Sequence, residues 1–147
     1  MGQKPGKPTI NMEEHRMKLN YVCLLVSDMA KAVSFWRDVV QLPVTFYDES
    51  VGFASFNTGE ATLALFSRAS LAQTLDKAIP APASASHPTY VAFEVDDVDA
   101  SYAALVERGA ASLAGPQDRP AMQTRNAYLS DPDGHILEIY GALSKAE

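Results

Sequence analysis

The residue best placed to do chemistry in this chain is Glu138, a carboxylate in the middle of the alternating apolar run HILEIYG that follows the turn DPDG. An ionised carboxylate is costly to bury alone, so its position calls for a metal, a proton to move, or a hydrogen-bonding ligand or neighbour. Tyrosines come next. Tyr21 and Tyr90 stand at the start of two apolar strand-length runs, and Tyr140 lies two residues after Glu138, each joining ring area to one hydroxyl. Strand alternation groups Tyr21 with Cys23 and Leu25, Tyr90 with Ala92 and Glu94, Ile136 with Glu138 and Tyr140, and Thr62 with Ala64 and Phe66.

Other polar clusters read as local structure. Asp96-Asp97 is helix-cap chemistry, and Asp131-Asp133 is turn chemistry, with DPDG a type I pattern whose glycine supplies the following positive φ. His87 and His135 differ in parity from Tyr90 and Glu138, which makes them surface or turn residues rather than ligands, and His15 falls in a polar N-terminal stretch. Phe35 and Trp36 sit in a helical pattern as packing residues. No nucleophile-elbow, P-loop or zinc-finger spacing occurs.

The elements that must position these residues are written twice. In LNYVCLLVSDMAKAVSFWRDVVQL an apolar run meets Ser27-Asp28, a natural helix cap, and Met29, Ala32, Val33, Trp36, Val39 and Val40 then fall on one face of a helix that Pro43 ends. In TYVAFEVDDVDASYAALVERGA the order returns: a strand, an Asp cap, and a helix with Val98, Tyr102, Leu105 and Val106 on one face, Asp99 in the first turn, Arg108 in the last and Gly109 as the stop. β-type stretches follow each helix, PVTFYDE, VGFASFN and ATLALFS in the first half, RNAYLSD and HILEIYG in the second. The expected organisation is a flexible extension over 1–16, a first βαβββ module over 17–66, a linker over 67–88 whose SLAQTLDKAI forms a short helix, and a second βαβββ module over 89–143.

The bulk numbers bound the function class. A chain of 147 residues, 47% hydrophobic, can bury one proper core, and a net charge of −6 without a basic stripe argues against nucleic acid as a partner. Cys23 is the single cysteine, which excludes an intrachain disulfide. No stretch suits a transmembrane or signal-peptide segment, so a cytoplasmic protein with no membrane partner is expected.

The duplicated pattern, with its openings VSDMAKAVSFW and VDDVDASYAALVERG and its close DPDGHILEIYG, resembles the vicinal oxygen chelate superfamily, which includes glyoxalase I, bleomycin resistance proteins, extradiol dioxygenases and fosfomycin-modifying enzymes. The resemblance implies an α+β fold in which two βαβββ modules form a cupped mixed sheet, and it implies pairing as a homodimer. In metal-dependent members the first and last strands of each module supply the ligands, and carried over these places are Tyr21, Ala64, Tyr90 and Glu138. Of the four only Glu138 is an ordinary ligand, and a divalent site needs about three protein donors, so neither a metal nor another cofactor is expected. A site of Cys23, Glu94 and Glu138 is the remaining alternative for a metal.

The implied cavity is aromatic and apolar with few polar anchors: Tyr21, Cys23, Phe66, Tyr90, Glu94, Glu138 and Tyr140 are the candidate ligand-binding residues. Such a lining suits an aromatic or amphiphilic small molecule, as in the drug-sequestering bleomycin resistance branch that gives antibiotic resistance. Two alternatives stay open. One is a metal-dependent glyoxalase or dioxygenase type of enzyme keeping Glu138 as a surviving ligand; the other is a metal-free isomerase or lyase with Glu138 as the catalytic base. For Glu138 itself a purely structural role, hydrogen-bonded to Tyr21 or Tyr90, also stays open.

Overall fold

The structure, a computed structural model, describes residues 19–80 and 89–144. The 1–16 extension, residues 81–88 of the expected 67–88 linker and the histidines at 15 and 87 lie outside the described residues.

Strand β1 (Val22–Val26) leads to a short helix α1 (Met29–Ser34), whose cap Asp28 accepts a hydrogen bond from the Lys31 backbone N–H at 3.0 Å. The helical face expected to run on to Val40 does not continue in α form: Phe35–Val39 is a π-turn, with the Val40 N–H reaching back five residues to the Phe35 carbonyl at 3.0 Å. The widened turn lets the neighbours Phe35 and Trp36 both sink into the core, stacked edge to face at 5.2 Å. Then come β2 (Val44–Asp48), β3 (Phe53–Asn57), β4 (Thr62–Ser67) and a helix α2 (Arg68–Leu75) capped by Ser67. The second half repeats the plan with β5 (Tyr90–Glu94), α3 (Val98–Glu107), β6 (Ala111–Arg119), a 3-10 turn at Pro120–Met122, β7 (Thr124–Ser130) and β8 (Ile136–Gly141).

Two four-stranded mixed sheets result, ordered β1-β4-β3-β2 and β5-β8-β7-β6, with β1 parallel to β4 and β5 parallel to β8. Their registers correspond. Cys23 stands opposite Ala64 just as Ala92 stands opposite Glu138, and Tyr21 and Tyr90 each precede those residues by two. The duplication therefore holds residue by residue, and Ala64 is the first module's counterpart of Glu138.

Alternation sends Leu24, Val26, Leu63 and Leu65 under α1, and Ala127, Leu129, Leu137 and Ile139 under α3, all buried. Gly141 closes the second module tightly, since a Cβ there would lie 2.7 Å from the Val95 carbonyl oxygen. The modules share one apolar core on this helix-covered side. Among the described residues three polar ties join them: the His135 Nε2 pairs with the Leu25 carbonyl at 2.9 Å, the Ser27 N–H donates to Asp133 at 2.9 Å, and Arg108 Nε donates to the Val39 carbonyl at 2.7 Å.

His135 was expected as a surface or turn residue; it closes the Asp131 turn, but it is buried rather than at the surface. The turn before it explains why. Asp131 folds its Oδ1 over the chain to accept the Asp133 and His135 backbone N–H groups at 3.0 and 2.7 Å, Gly134 takes φ +87°, and the imidazole is swung into the seam between modules. Burial pushes the Asp131 carboxyl above the ordinary carboxylate range, with His135 pulling the other way.

Candidate functional site

Glu138 lies on β8 between β5 and β7, and is 4% exposed. The antiparallel register puts Tyr128 directly opposite it and Asn126 opposite Tyr140. Its Oε2 accepts from the Asn126 Nδ2 in a close contact and from the Tyr128 hydroxyl at 3.3 Å, and the Tyr90 phenol lies near enough to feel its charge. Asn126 is itself fixed, since the Thr124 hydroxyl donates to its Oδ1 at 2.7 Å and leaves the amide nitrogen aimed at the carboxylate. The buried carboxylate is thus met by two donors from the neighbouring strand β7, with Tyr90 of β5 beside it.

The charge acts on its neighbours. Glu138, mainly through its charge, holds the Tyr90 phenol above its ordinary value. For Tyr128 burial is the larger cause and Glu138 the next. The Arg119 guanidinium stands over the Tyr128 ring, 5.6 Å from its centroid, so a cation borders the network.

A cavity of about 240 Å³ opens over this network, lined by Tyr90, Ala92, Met122, Thr124, Asn126, Glu138 and Tyr140. Tyr90, Glu138 and Tyr140 were expected there; Met122, Thr124 and Asn126 were not. The signal for the last two lies in the alternation of TRNAYLS, which puts Thr124, Asn126 and Tyr128 on one face. Neutral polar side chains in a strand do not draw attention until a partner strand is known.

The remaining candidates lie elsewhere. Tyr21 packs edge to face on Phe53, with ring centroids 5.7 Å apart, and Phe53 also meets Phe66 and Phe46 at 6.0 and 6.1 Å. This aromatic face belongs to the first sheet, and it is open, with Tyr21 44% and Phe46 50% exposed. Among the described residues no hydrogen bond, ion pair or ring contact joins Tyr21 or Phe66 to Glu138. Tyr128 donates the tyrosine hydrogen bond to the carboxylate, and Tyr90 rather than Tyr21 is the strand-start tyrosine that stands beside it. Cys23 is half-buried on β1, its thiol pushed up to about 11 by that burial. Glu94, at the end of β5, borders a different cavity beside α3.

The described donors do not fit a divalent metal. Ala64 offers nothing, Tyr21 lies in the aromatic cluster, Tyr90 brings only a phenol, and among the described residues no three of His, Cys, Asp and Glu gather at one point. What the arrangement can do is hold a negative charge at the floor of a small cavity between aromatic walls.

Comparison with known proteins places this geometry. The sequence pattern of the Glyoxalase/Bleomycin resistance protein/Dioxygenase superfamily matches residues 18–139. The chain belongs to that superfamily. It is 34% identical over 128 residues to the uncharacterized protein YraH of Bacillus subtilis (strain 168), covering 86% of this chain and all of YraH. It is 31% identical over 125 residues to the metallothiol transferase FosB of Shouchella clausii (strain KSM-K16), covering 83% and 78% of the two chains. Among solved structures, a glyoxalase/bleomycin resistance protein/dioxygenase from Nocardioides superposes with a TM-score of 0.73 at 23% identity, over 98% of this chain and 89% of that one. The fold of this chain is therefore the superfamily's α+β fold of paired mixed sheets.

Proposed function

We propose that this superfamily member binds an aromatic or amphiphilic small molecule without a metal, in the manner of the bleomycin resistance branch, and that Glu138 orients a cationic or hydroxyl group of the ligand. One observation carries this reading: the buried Glu138 carboxylate is held by Asn126 and Tyr128 at the floor of a cavity that Tyr90 also lines, while its counterpart in the first module is Ala64. A carboxylate held in this way has a fixed direction and free lone pairs to offer a ligand. The open aromatic face of Tyr21, Phe46, Phe53 and Phe66 supports a homodimer in which one chain's first sheet covers the cavity on its partner's second, so that a ligand meets rings on one side and the polar network on the other. A thermal-shift screen of aromatic drugs and metabolites supplies the ligand, because binding to the folded state raises the melting temperature.

A second reading rests on the likeness to FosB, a metallothiol transferase by name. It makes the chain a metal-dependent transferase with Glu138 as one ligand. Elemental analysis after supplementation with Zn, Ni, Mn and Fe separates the two. Far less than one ion per chain is expected on the binding reading; a near-stoichiometric ion that disappears in Glu138→Ala makes the transferase reading the right one.

A further inference from the structure

A second cavity, more voluminous than the one over Glu138, lies elsewhere in the same module. About 410 Å³ of space lies on the helix-covered side of the second module, between α3, the β5 and β8 strands and the segment that follows α1. Leu42, Phe93, Val95 and Ala104 form its apolar walls over the buried Leu105, Leu137 and Ile139, and Arg108 lines it at the exposed end of α3. That volume is within the usual range for small-molecule sites, and a lining of this kind gives water few hydrogen bonds to lose.

The charge at the rim selects the occupant. Arg108 donates its Nε to the Val39 carbonyl at 2.7 Å, which fixes the guanidinium across the mouth, and its terminal nitrogens make no hydrogen bond or ion pair with the described residues. Glu94 also borders the space, but it alternates with Phe93 and Val95, so its carboxylate is directed to the opposite face of β5. Arg108 is then the cation that lines the cavity, while Asp97, Asp99 and Glu107 of the same helix are not among its lining residues. We propose that this cavity is a second binding site, distinct from that of Glu138, for an amphiphile with an apolar chain and an anionic head: the chain lies against Leu42, Phe93 and Ala104, and a carboxylate pairs with the free edge of the Arg108 guanidinium.

The test uses decanoate with the full chain, followed by calorimetry and by 13C-methyl NMR. Saturable binding of about one decanoate per chain is expected, with shifts at the Leu42, Leu105, Leu137 and Ile139 methyls. Arg108→Gln should weaken decanoate at least tenfold and leave decanol unchanged, and Ala104→Phe should exclude both by filling the space. Glu138→Gln should leave the decanoate titration as it is, so the two sites stand or fall separately. The proposal is overturned if decanoate gives no saturable heat, if the shifts appear at Ala92 and Met122 instead, or if decyltrimethylammonium binds more tightly than decanoate. It is also overturned if the four methyls respond to protein concentration and not to decanoate, which would make this face a contact with a second copy. Should Ala104→Phe fail to fold, the methyl map and the Arg108→Gln comparison still decide.

Discussion

Replacing Glu138 by glutamine keeps the side chain's length and removes its charge from a network whose donors cannot all turn away. Asn126 is held by Thr124 with its amide nitrogen toward position 138, so glutamine must present its own oxygen there and direct its NH2 group to the tyrosines. The Tyr128 and Tyr90 hydroxyls can rotate to accept, which keeps the folded protein within about 1 kcal/mol of the parent. A ligand that uses the carboxylate loses a charged hydrogen bond, about 1.5 to 3 kcal/mol, or roughly a 10- to 150-fold weaker Kd. Calorimetry with a hit from the thermal-shift screen reads that loss. The same variant has an optical signature needing no ligand: the Tyr90 phenol, held up mainly by the Glu138 charge, should ionise at lower pH in an absorbance titration of tyrosinate. Tyr90→Phe keeps the ring and should cost less in binding, about 0.5 to 1.5 kcal/mol. If Glu138→Gln binds the ligand as tightly as the parent but unfolds at a lower temperature, the carboxylate is structural and the reasoning fails. If binding persists while turnover of the ligand disappears, Glu138 is a base.

Three further outcomes are expected. Light scattering at micromolar concentration should give about twice the 15.9 kDa chain mass, and a monomer would remove the partner chain's aromatic face from the site. Cys23, with its thiol pushed from 9.0 up to about 11, should hold about 100-fold less thiolate at neutral pH than an ordinary thiol, so iodoacetamide should react slowly and its rate should keep rising beyond pH 9. His135→Ala removes the tie to the half-buried Leu25 carbonyl, which keeps only the 3.5 Å contact from Arg68, and should cost about 0.5 to 1.5 kcal/mol in urea unfolding; an unchanged midpoint would show that the tie carries no stability.

The modules were legible because their strands and helices carry different periods. VCLLV and ILEIYG alternate, the α3 pattern repeats every three to four residues, and Asp28 and Asp97 mark where one period gives way to the other; both aspartates cap their helices. The π-turn at Phe35–Val39 was not legible, since a single inserted residue in a helical turn leaves the apolar spacing nearly unchanged. Half of the site was visible: Glu138 stood out as a charge in an apolar strand, and Tyr90 and Tyr140 followed from parity. Asn126 and Tyr128 were hidden because their importance comes from the β7–β8 register, which pairs Tyr128 with Glu138 and Asn126 with Tyr140. Parity also grouped Tyr21 with Tyr90, and it cannot say whether two equivalent faces of one chain meet. His135 was misjudged for a related reason: alternation kept it off the Glu138 face, but only the Asp131 turn shows that the other direction leads into the seam between modules.

The claim at the centre of this account is that a ligand is held by protein groups alone, with Glu138 as its polar anchor. The most direct test titrates the screened ligand into protein kept in excess EDTA, and again into protein supplemented with Zn, Ni, Mn or Fe. The same Kd in both, weakened in each by Glu138→Gln, is the expected result. Binding that vanishes in EDTA and returns with one of these ions would contradict it.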